Sequence, residues 1–287
     1  VDGLTLAVPR GSVYGFIGPN GSGKTTTLRI LLHILLPDRG RVEVLGQTGT
    51  RASNDRIGYL PEERGLYRKM GVRRLLTYYG ALKGMSAADA RREGESWLER
   101  LDLAAWSGHR VEALSKGMMQ KLQFITTVLA RPELVILDEP FSGLDPVNRE
   151  VLRTAILGLR DAGATVLFST HDMAVAEEMC DRICMIHRGR KVLDGTLDEI
   201  RRTYGSDTVR LEVEGGRSLL EGEVDSAVIR DLGRMQEIRL NGHDPQELLR
   251  RLAAKTRVLH FELVHPSLND IFIRIAAPAP DASAHPA

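Results

Sequence analysis

The stretch GPNGSGKTT, Gly18 to Thr26, fits the pattern G-x-x-x-x-G-K-[ST], and the rest of the chain can be interpreted outward from it. An apolar run ends at Ile17 just before it, and the amphipathic run KTTTLRILLHIL follows, so a strand and a helix flank it as the pattern requires. Glycines let backbone N–H groups converge on phosphate oxygens, and the positive end of the helix faces the anion. Lys24 supplies a charge for the β- and γ-phosphates, and the Thr25 hydroxyl can ligate Mg²⁺.

This phosphate loop predicts that the chain binds ATP or GTP, since the alternative, a glycine-rich turn formed by chance, does not require those flanking elements. The predicted nucleotide-binding residues are Gly18, Pro19, Asn20, Gly21, Ser22, Gly23, Lys24, Thr25 and Thr26.

A second motif, LVILDEP from Leu134 to Pro140, is an acidic strand end. Its continuous apolar run is typical of a strand buried on both faces of a parallel sheet, and such a strand carries Asp138 to the carboxyl edge, where ligands bind. Asp138 is suited to hold Mg²⁺, directly or through water. Glu139 can orient and deprotonate an attacking water as a general base. A salt bridge alone would also explain the pair, but its combination with a phosphate loop favours a hydrolytic site.

Composition limits the class of protein. The chain has 287 residues, enough for one large domain and a small one. Its 43% apolar and 27% charged residues predict the packed core of an ordinary globular protein. The formal net charge of +1 lacks the basic excess of a general nucleic-acid binder, so no nucleic-acid partner is expected.

The cysteines and the apolar runs bear on location. Cys180 and Cys184 cannot make a disulfide framework or a four-ligand zinc site, so two buried free thiols and a reducing, cytoplasmic setting are expected. The run ILLHILL is too short to span a bilayer, and no signal peptide is visible. Any membrane role must therefore come through a partner.

The order of the elements predicts an α/β fold with a mostly parallel sheet, a P-loop NTPase. Strand-like runs (LTLAV, SVYGFIG, RVEVLG, LVILDE, ATVLFST) alternate with amphipathic helices over residues 1–204, and a helical subdomain is inserted at about residues 63–130. Half-exposed strands and two helices, opened by Pro245 and Pro266, predict a small α+β C-terminal domain over residues 205–277. Residues 278–287, rich in Pro and Ala, are expected to be disordered.

Five motifs taken together carry a family resemblance. The chain resembles the nucleotide-binding subunit of an ATP-binding cassette (ABC) transporter across about residues 4–204. The stretches YLPEERGLY and HPSLNDIFIRI are similar to the subgroup that energises type 2 exporters, the sodium-export and drug-export cassettes with a small C-terminal domain. The motifs, in the family's order, are the phosphate loop, LSKGM at Leu114–Met118, LVILDEP, SGLD at Ser142–Asp145, and STHD with His171.

The resemblance implies a function and an assembly. Two cassettes, as a homodimer or a paired cassette, would pack head to tail around two ATP molecules and drive transport through a separate transmembrane permease. The subunit would then be cytoplasmic and peripheral, held at the cytoplasmic face of the cell membrane by the permease. ATP and Mg²⁺ are the implied cofactors.

The resemblance also assigns roles to residues outside the phosphate loop. Ser115 and the N–H of Gly117 would contact the γ-phosphate of the ATP held by the partner cassette, although a helix cap would explain Ser115 alone. His171 would contact the γ-phosphate of its own site and serve catalysis with Glu139. Asp145 precedes Pro146, so it caps a helix on local grounds, and by resemblance it also bridges the dimer interface.

The sequence departs from the family pattern at three places. Glu62 stands where the family has a Gln that senses magnesium, and a carboxylate there can still ligate Mg²⁺ while adding negative charge near the γ-phosphate. The signature reads Ser-Lys-Gly-Met, with Lys116 expected to face solvent or a membrane partner. The aromatic residue that stacks on adenine in the family precedes Val1, and Tyr14 is a poor substitute.

Two other functions fit parts of the pattern. A non-transport mechanical ATPase of the same superfamily would carry a long coiled-coil insertion or tandem cassettes, and the sequence shows neither. An inactive nucleotide-binding regulator would be expected to lack Lys24 or Glu139, and both are present. A regulatory or dimer-supporting role of the C-terminal domain is a hypothesis only.

Overall fold

The computed structural model describes residues 1–48, 55–63, 65–204, 208–221, 229–240, 243–264 and 266–276. The chain divides into two compact units between Thr196 and Leu197. The sequence placed this boundary after residue 204. It falls earlier because the helix Leu197–Tyr204 belongs to the second unit, where the Arg274 guanidinium donates to the carbonyl of Tyr204 at 3.4 Å. The predicted disordered tail, residues 278–287, lies outside the described residues.

The first unit contains a six-stranded sheet and a separate two-stranded hairpin. Its strands are β1 (Val13–Ile17), β2 (Glu43–Val44), β3 (Gln47–Thr48), β4 (Ile57–Leu60), β5 (Leu134–Asp138), β6 (Thr165–Thr170), β7 (Arg182–His187) and β8 (Arg190–Gly195). The sheet order is β4-β5-β6-β1-β7-β8, and the hairpin pairs β2 with β3. Every pair in the sheet is parallel except β7 with β8, which confirms the predicted mostly parallel sheet.

The helices of the first unit confirm the inserted helical region. They are α1 (Lys24–Leu31), α2 (Val72–Leu82), α3 (Ala87–Arg100), α4 (Lys116–Val128), α5 (Pro146–Asp161) and α6 (Met173–Met179), with 3-10 turns at Ala104–Trp106 and Val111–Ala113. Ser86 caps α3, since its Oγ accepts from the N–H of Asp89 at 3.1 Å. The helices α2, α3 and α4 share one apolar cluster with Trp97 and Phe124 in edge-to-face contact.

Strand order places the functional loops side by side. The strand β6 lies between β1 and β5, and Ile17 pairs with Thr170 while Asp138 pairs with Ser169. All residues of β1, β5 and β6 are buried, so these strands form the centre of the sheet beneath the functional loops. Because parallel strands end at the same edge, the phosphate loop, Glu139 and His171 emerge together there.

Two predicted elements of the first unit are wrong in extent. The run LTLAV is not a strand: Leu4, Leu6 and Val8 lie in irregular backbone and pack against an apolar cluster under the sheet. The helix α1 ends at Leu31 although the apolar pattern continues to Leu35. His33 takes a left-handed φ of 55° and the N–H of Ile34 returns to the carbonyl of Arg29 at 2.8 Å, so the chain turns before Pro37.

The second unit is a four-stranded antiparallel sheet with helices. Its elements are α7 (Leu197–Tyr204), β9 (Thr208–Val213), α8 (Gly216–Leu220), β10 (Ile229–Asp231), β11 (Gln236–Arg239), α9 (Pro245–Lys255), β12 (Val258–Val264) and α10 (Leu268–Ala276). The sheet order is β10-β11-β9-β12, which confirms the predicted α+β character. Pro245 opens α9, but α10 begins after Pro266, with the Ser267 hydroxyl accepting from the N–H of Asp270.

The cysteines are free thiols, as predicted. Cys184 lies in β7 and is buried, and burial raises its pKa to about 12. Cys180 follows α6 and is half-buried, and burial likewise raises its pKa. Tyr14 is also buried, and its hydroxyl donates to Asp194 at 3.0 Å. An interior tyrosine held in this way cannot stack on an adenine base, so Tyr14 is excluded from that role.

Candidate active site

The phosphate loop joins β1 to α1, and its glycines answer specific steric demands. A Cβ at Gly18 would lie 2.2 Å from the carbonyl oxygen of Ile186, so only glycine fits there. Gly23 has a φ of 105° and forms the N-terminal cap of α1, which begins at Lys24. The loop therefore points the N-terminus of α1 at the space in front of β1, the arrangement that binds anions.

Lys24 is held in place by the loop itself. Its ammonium donates to the carbonyls of Gly18 at 2.8 Å and Pro19 at 3.3 Å. The side chain is 6% exposed and lies 3.5 Å from Oε1 of Glu139. A nearly buried cation that faces a carboxylate is a ready partner for a phosphate anion.

Glu139 is the centre of the charged cluster. The same Oε1 that faces Lys24 lies 3.0 Å from Nδ1 of His171. Glu139 follows β5 directly and takes a left-handed φ of 49°, which turns its side chain out of the strand direction. Its N–H donates to Oγ of Ser169 at 3.1 Å, so the neighbouring strand β6 fixes this unusual backbone.

Asp138 has an unused oxygen. The residue is fully buried at the end of β5, and its Oδ1 accepts from the Ser169 hydroxyl. Its Oδ2 is buried with no hydrogen-bond partner in the described part of the chain. An unpaired buried carboxylate oxygen is costly unless a cation or water satisfies it.

The donor set suits Mg²⁺ bound together with phosphates. Within the described ranges no three His, Cys, Asp or Glu side chains come together as a protein-only metal site. Mg²⁺ is ordinarily held by one or two carboxylates plus substrate phosphates and water, so this is the expected pattern. Asp138 through its free Oδ2, and the Thr25 hydroxyl at the start of α1, are the groups that fit.

A pocket of about 270 Å³ lies in front of the phosphate loop. Its lining brings together six of the predicted nucleotide-binding residues with Glu139 and Glu62, which follows β4: Asn20, Gly21, Gly23, Lys24, Thr25, Thr26, Glu62 and Glu139. The carbonyls of Gly18 and Pro19 act through Lys24 instead. Ser22 is buried with its hydroxyl unpaired among the described residues.

Ser115 and Gly117 lie elsewhere, at the N-terminus of α4. The Ser115 Oγ accepts from the N–H of Met118 at 3.2 Å, so it does cap the helix, and its side chain is exposed. Gly117 is half-buried beside Leu144, which a Cβ would approach to 3.5 Å. Neither residue lines the pocket in front of Lys24 in the part of the chain described.

Asp145 caps α5 as predicted. Its carboxylate accepts from the N–H of Asn148 at 2.9 Å, and Pro146 occupies the first turn. The backbone N–H and then the side-chain amide of Asn148 lower the pKa of Asp145, so the group is ionised at neutral pH. The carboxylate is exposed and can also serve an interface.

Sequence reasoning missed three polar residues that position the site. Ser169 bridges Asp138 and the N–H of Glu139. Gln120 and Gln123, inside α4, donate to loops around the pocket. The sequence signal for the two glutamines is a polar residue among the apolar positions of a helix, and a solvent-exposed position explains such a residue equally well.

The fold and this site define a P-loop nucleotide hydrolase with a cassette-type helical insertion. Comparison with known proteins agrees. The ABC transporter family model matches residues 1–142, and the model of the ATP-binding protein DrrA1-3-like C-terminal domain matches residues 195–276. A solved structure described as the ATP binding subunit of an ABC transporter superposes with a TM-score of 0.66 at 30% identity, covering 87% of this chain and 91% of that one.

Curated relatives extend over nearly the whole chain. The uncharacterised ABC transporter ATP-binding protein YhaQ of Bacillus subtilis is 42% identical over 95% of this chain and 92% of its own length. The daunorubicin/doxorubicin resistance ATP-binding protein DrrA of Streptomyces peucetius is 33% identical over 99% and 90%. The Nod factor export ATP-binding protein I of Ralstonia nicotianae is 32% identical over 96% and 88%.

The chain belongs to the family of ABC transporter ATP-binding proteins. It is an ATPase subunit coupled to transport, and the resemblance inferred from its motifs is confirmed. None of the helices in the described ranges has both the length and the apolar composition that a membrane crossing requires.

Proposed function

We propose that this chain hydrolyses Mg·ATP at the pocket in front of Lys24 and works as one of two cassettes that power an exporter. The observation that carries the proposal is the contact of one Glu139 oxygen with both Lys24 and His171. The contact lies at the edge of the sheet where β1 ends and the phosphate loop begins. A carboxylate among these partners can take a proton from water beside a phosphate bound on the loop.

Each side chain of the site has its own role in ATP hydrolysis. Lys24 and the N-terminus of α1 bind the β- and γ-phosphates, and Glu139 aligns and deprotonates the attacking water. His171 contacts the γ-phosphate and keeps the Glu139 carboxylate in position. Asp138 and Thr25 would hold Mg²⁺, which when bound offsets the negative charge on the phosphate oxygens.

The second half of the site comes from a partner. The exposed Ser115 and the half-buried Gly117 lie at the N-terminus of α4, outside the pocket in front of Lys24 in the described part of the chain. We infer that this end of α4 closes on the γ-phosphate held by another cassette, and that Asp145 lies at the same interface. A two-fold interface of this kind is isologous, so two copies would complete both sites at once.

Export and location follow from the relatives and not from the site. Two relatives are named for drug resistance and for Nod factor export. We infer that this subunit serves an exporter, and that a separate permease chooses the substrate and holds the subunit at the cytoplasmic face of the membrane. In this assignment the first unit binds ATP, and the second unit, which begins at Leu197, supports regulation or dimerisation.

The metal site supplies the test. Purified chain should hydrolyse ATP only with Mg²⁺, and Glu62→Gln should raise the Mg²⁺ concentration at half-maximal rate by about 3- to 10-fold, because the neutral amide oxygen attracts the cation less strongly than the carboxylate does. Phosphate release over a Mg²⁺ titration at saturating ATP measures both effects. The neighbouring exposed Glu63 gives the matched control, Glu63→Gln, whose titration curve should overlay the wild type.

Two results would contradict this assignment. Hydrolysis that persists in excess EDTA would remove the metal role altogether. A Glu62→Gln titration identical to the wild type would remove Glu62 from the metal site while leaving the rest of the proposal standing.

A further inference from the structure

Two buried glutamines lie inside α4, the helix whose N-terminus carries Ser115 and Gly117. Gln120 is 3% exposed and Gln123 is 4% exposed. They are three positions apart and therefore lie on the same side of the helix, one turn from each other. The same helix also buries Leu122, Phe124 and Ile125 in the apolar core.

Gln120 holds the loop that carries Glu139. Its Nε2 donates to the carbonyl oxygen of Pro140 at 3.0 Å, and this hydrogen bond is buried. Pro140 has no N–H and directly follows Glu139, whose φ is 49°. The bond to the Pro140 carbonyl therefore fixes the Pro140–Phe141 peptide, one residue beyond Glu139.

Gln123 holds the loop that carries Glu62. Its Nε2 donates to the carbonyl of Glu63 at 3.2 Å and to that of Pro61 at 3.4 Å, which flank Glu62 on both sides. Because both acceptors are carbonyl oxygens, the amide must present its NH₂ group to them. The Gln123 side chain thus holds the backbone on both sides of Glu62. Glu62 itself lines the pocket.

A third contact lies nearer the start of α4. The space beside Gly117 is closed by Leu144 and Asn148, which belong to the loop and first turn around Asp145. One helix therefore touches three loops of the site along its length. Its exposed end is the part that the proposed function assigns to the ATP of the partner cassette.

We propose that Gln120 and Gln123 are positioning residues that link the positions of Glu139 and Glu62 in one nucleotide site to the position of the α4 helix. Through α4 they link the same two carboxylates to the ATP bound in the partner cassette's site. The inference rests on the proposed function, since α4 can report on a second nucleotide only if Ser115 and Gly117 contact it. A buried hydrogen bond to a carbonyl transmits a small displacement because losing it leaves that carbonyl unpaired.

A double-mutant cycle tests the tie to Glu139. Gln120→Met keeps the length of the side chain and removes the donor, and it should lower kcat by about 10- to 100-fold with little change in the KM for ATP. The same change made in Glu139→Gln should have no further effect on the residual single-turnover rate, because the group that Gln120 positions is already disabled. If the rate of the double variant were lowered by the product of the two single-variant factors, the inference would be overturned.

Two control variants separate positioning from general destabilisation. Thr127→Val removes the hydrogen bonds that a hydroxyl of the same helix donates to the carbonyls of Gln123 and Tyr59. Gln236→Met removes the part-buried hydrogen bond from a side-chain amide to the carbonyl of Gly233 in the second unit. Both should lower the melting temperature while kcat stays at the wild-type value. A Gln120→Met variant that retains the kcat of these controls would also overturn the inference.

The cycle stays decisive if one variant does not fold. Gln120→Asn keeps a shorter amide, and its loss of kcat should again vanish in the Glu139→Gln background; an unchanged kcat would contradict the proposal. Gln123→Met should raise the Mg²⁺ requirement in wild type but not in Glu62→Gln. If Glu139→Gln alone hydrolyses ATP at the wild-type rate, the proposed function fails, which is distinct from a failure of the cycle.

Discussion

Glu139→Gln is expected to lower kcat for ATP hydrolysis by about 10²- to 10⁴-fold while the protein still binds ATP. The amide cannot accept a proton from water, so the general base is lost. It also removes the negative charge that lies 3.5 Å from Lys24, so the affinity for ATP should be equal or higher. Phosphate release gives kcat, and equilibrium binding of a fluorescent ATP analogue gives the affinity.

The chain offers a matched control on the same strand. Glu133 precedes β5 at its opposite end, is half exposed, and pairs with Arg56. Glu133→Gln makes the same chemical change far from the phosphate loop and should leave kcat unchanged. A Glu139→Gln variant that hydrolyses ATP as fast as Glu133→Gln would show that another group activates the water.

Lys24→Met is expected to weaken ATP binding by about 10- to 100-fold and to abolish measurable hydrolysis. A charge-assisted hydrogen bond from a nearly buried ammonium to phosphate contributes about 1.5 to 3 kcal/mol, which corresponds to this change in affinity. Methionine keeps much of the volume, so the loop between β1 and α1 should still form. The same binding and phosphate-release assays measure the loss.

The control for Lys24 lies on the edge strand β8. Lys191 pairs with Asp194 at 2.9 Å, and Lys191→Met should leave both ATP affinity and kcat at the wild-type values. Equal ATP affinity of the Lys24 and Lys191 variants would mean that the phosphates bind elsewhere, and the assigned pocket would be wrong.

The sequence predicted the site where local pattern and strand direction decide it. The phosphate loop, Asp138 and Glu139 each follow an apolar run, and the carboxyl ends of parallel strands must meet at one edge. It could not predict that β6 lies between β1 and β5, since strand order depends on tertiary packing. That order puts Nδ1 of His171 within 3.0 Å of Glu139.

The residues that position the site could not be predicted from the sequence, because their hydrogen-bond partners are distant along the chain. Gln120 and Gln123 donate to carbonyls 20 and 60 positions away, and no local pattern encodes which buried carbonyl lacks a partner. The strand prediction for residues 4–8 was wrong for a different reason. The alternation in this run is that of a strand, but within the described residues the run pairs with no strand and packs as irregular backbone against an apolar cluster.

The proposed assembly of two cassettes depends most on α4, which must complete the nucleotide site of the second cassette. The mass of Glu139→Gln in Mg·ATP, measured by size-exclusion chromatography with light scattering, tests it directly. Ser115→Arg in the same background introduces bulk at the exposed cap of α4. Ser86→Arg is the matched control, because Ser86 caps α3 in the same way.

The predicted result is a dimer of Glu139→Gln with ATP and a monomer with ADP. The Ser115→Arg change should abolish the dimer without lowering ATP binding, and Ser86→Arg should leave the dimer intact. A dimer that survives Ser115→Arg, or an ATP-loaded chain that stays monomeric, would contradict the claim that the two cassettes share their sites.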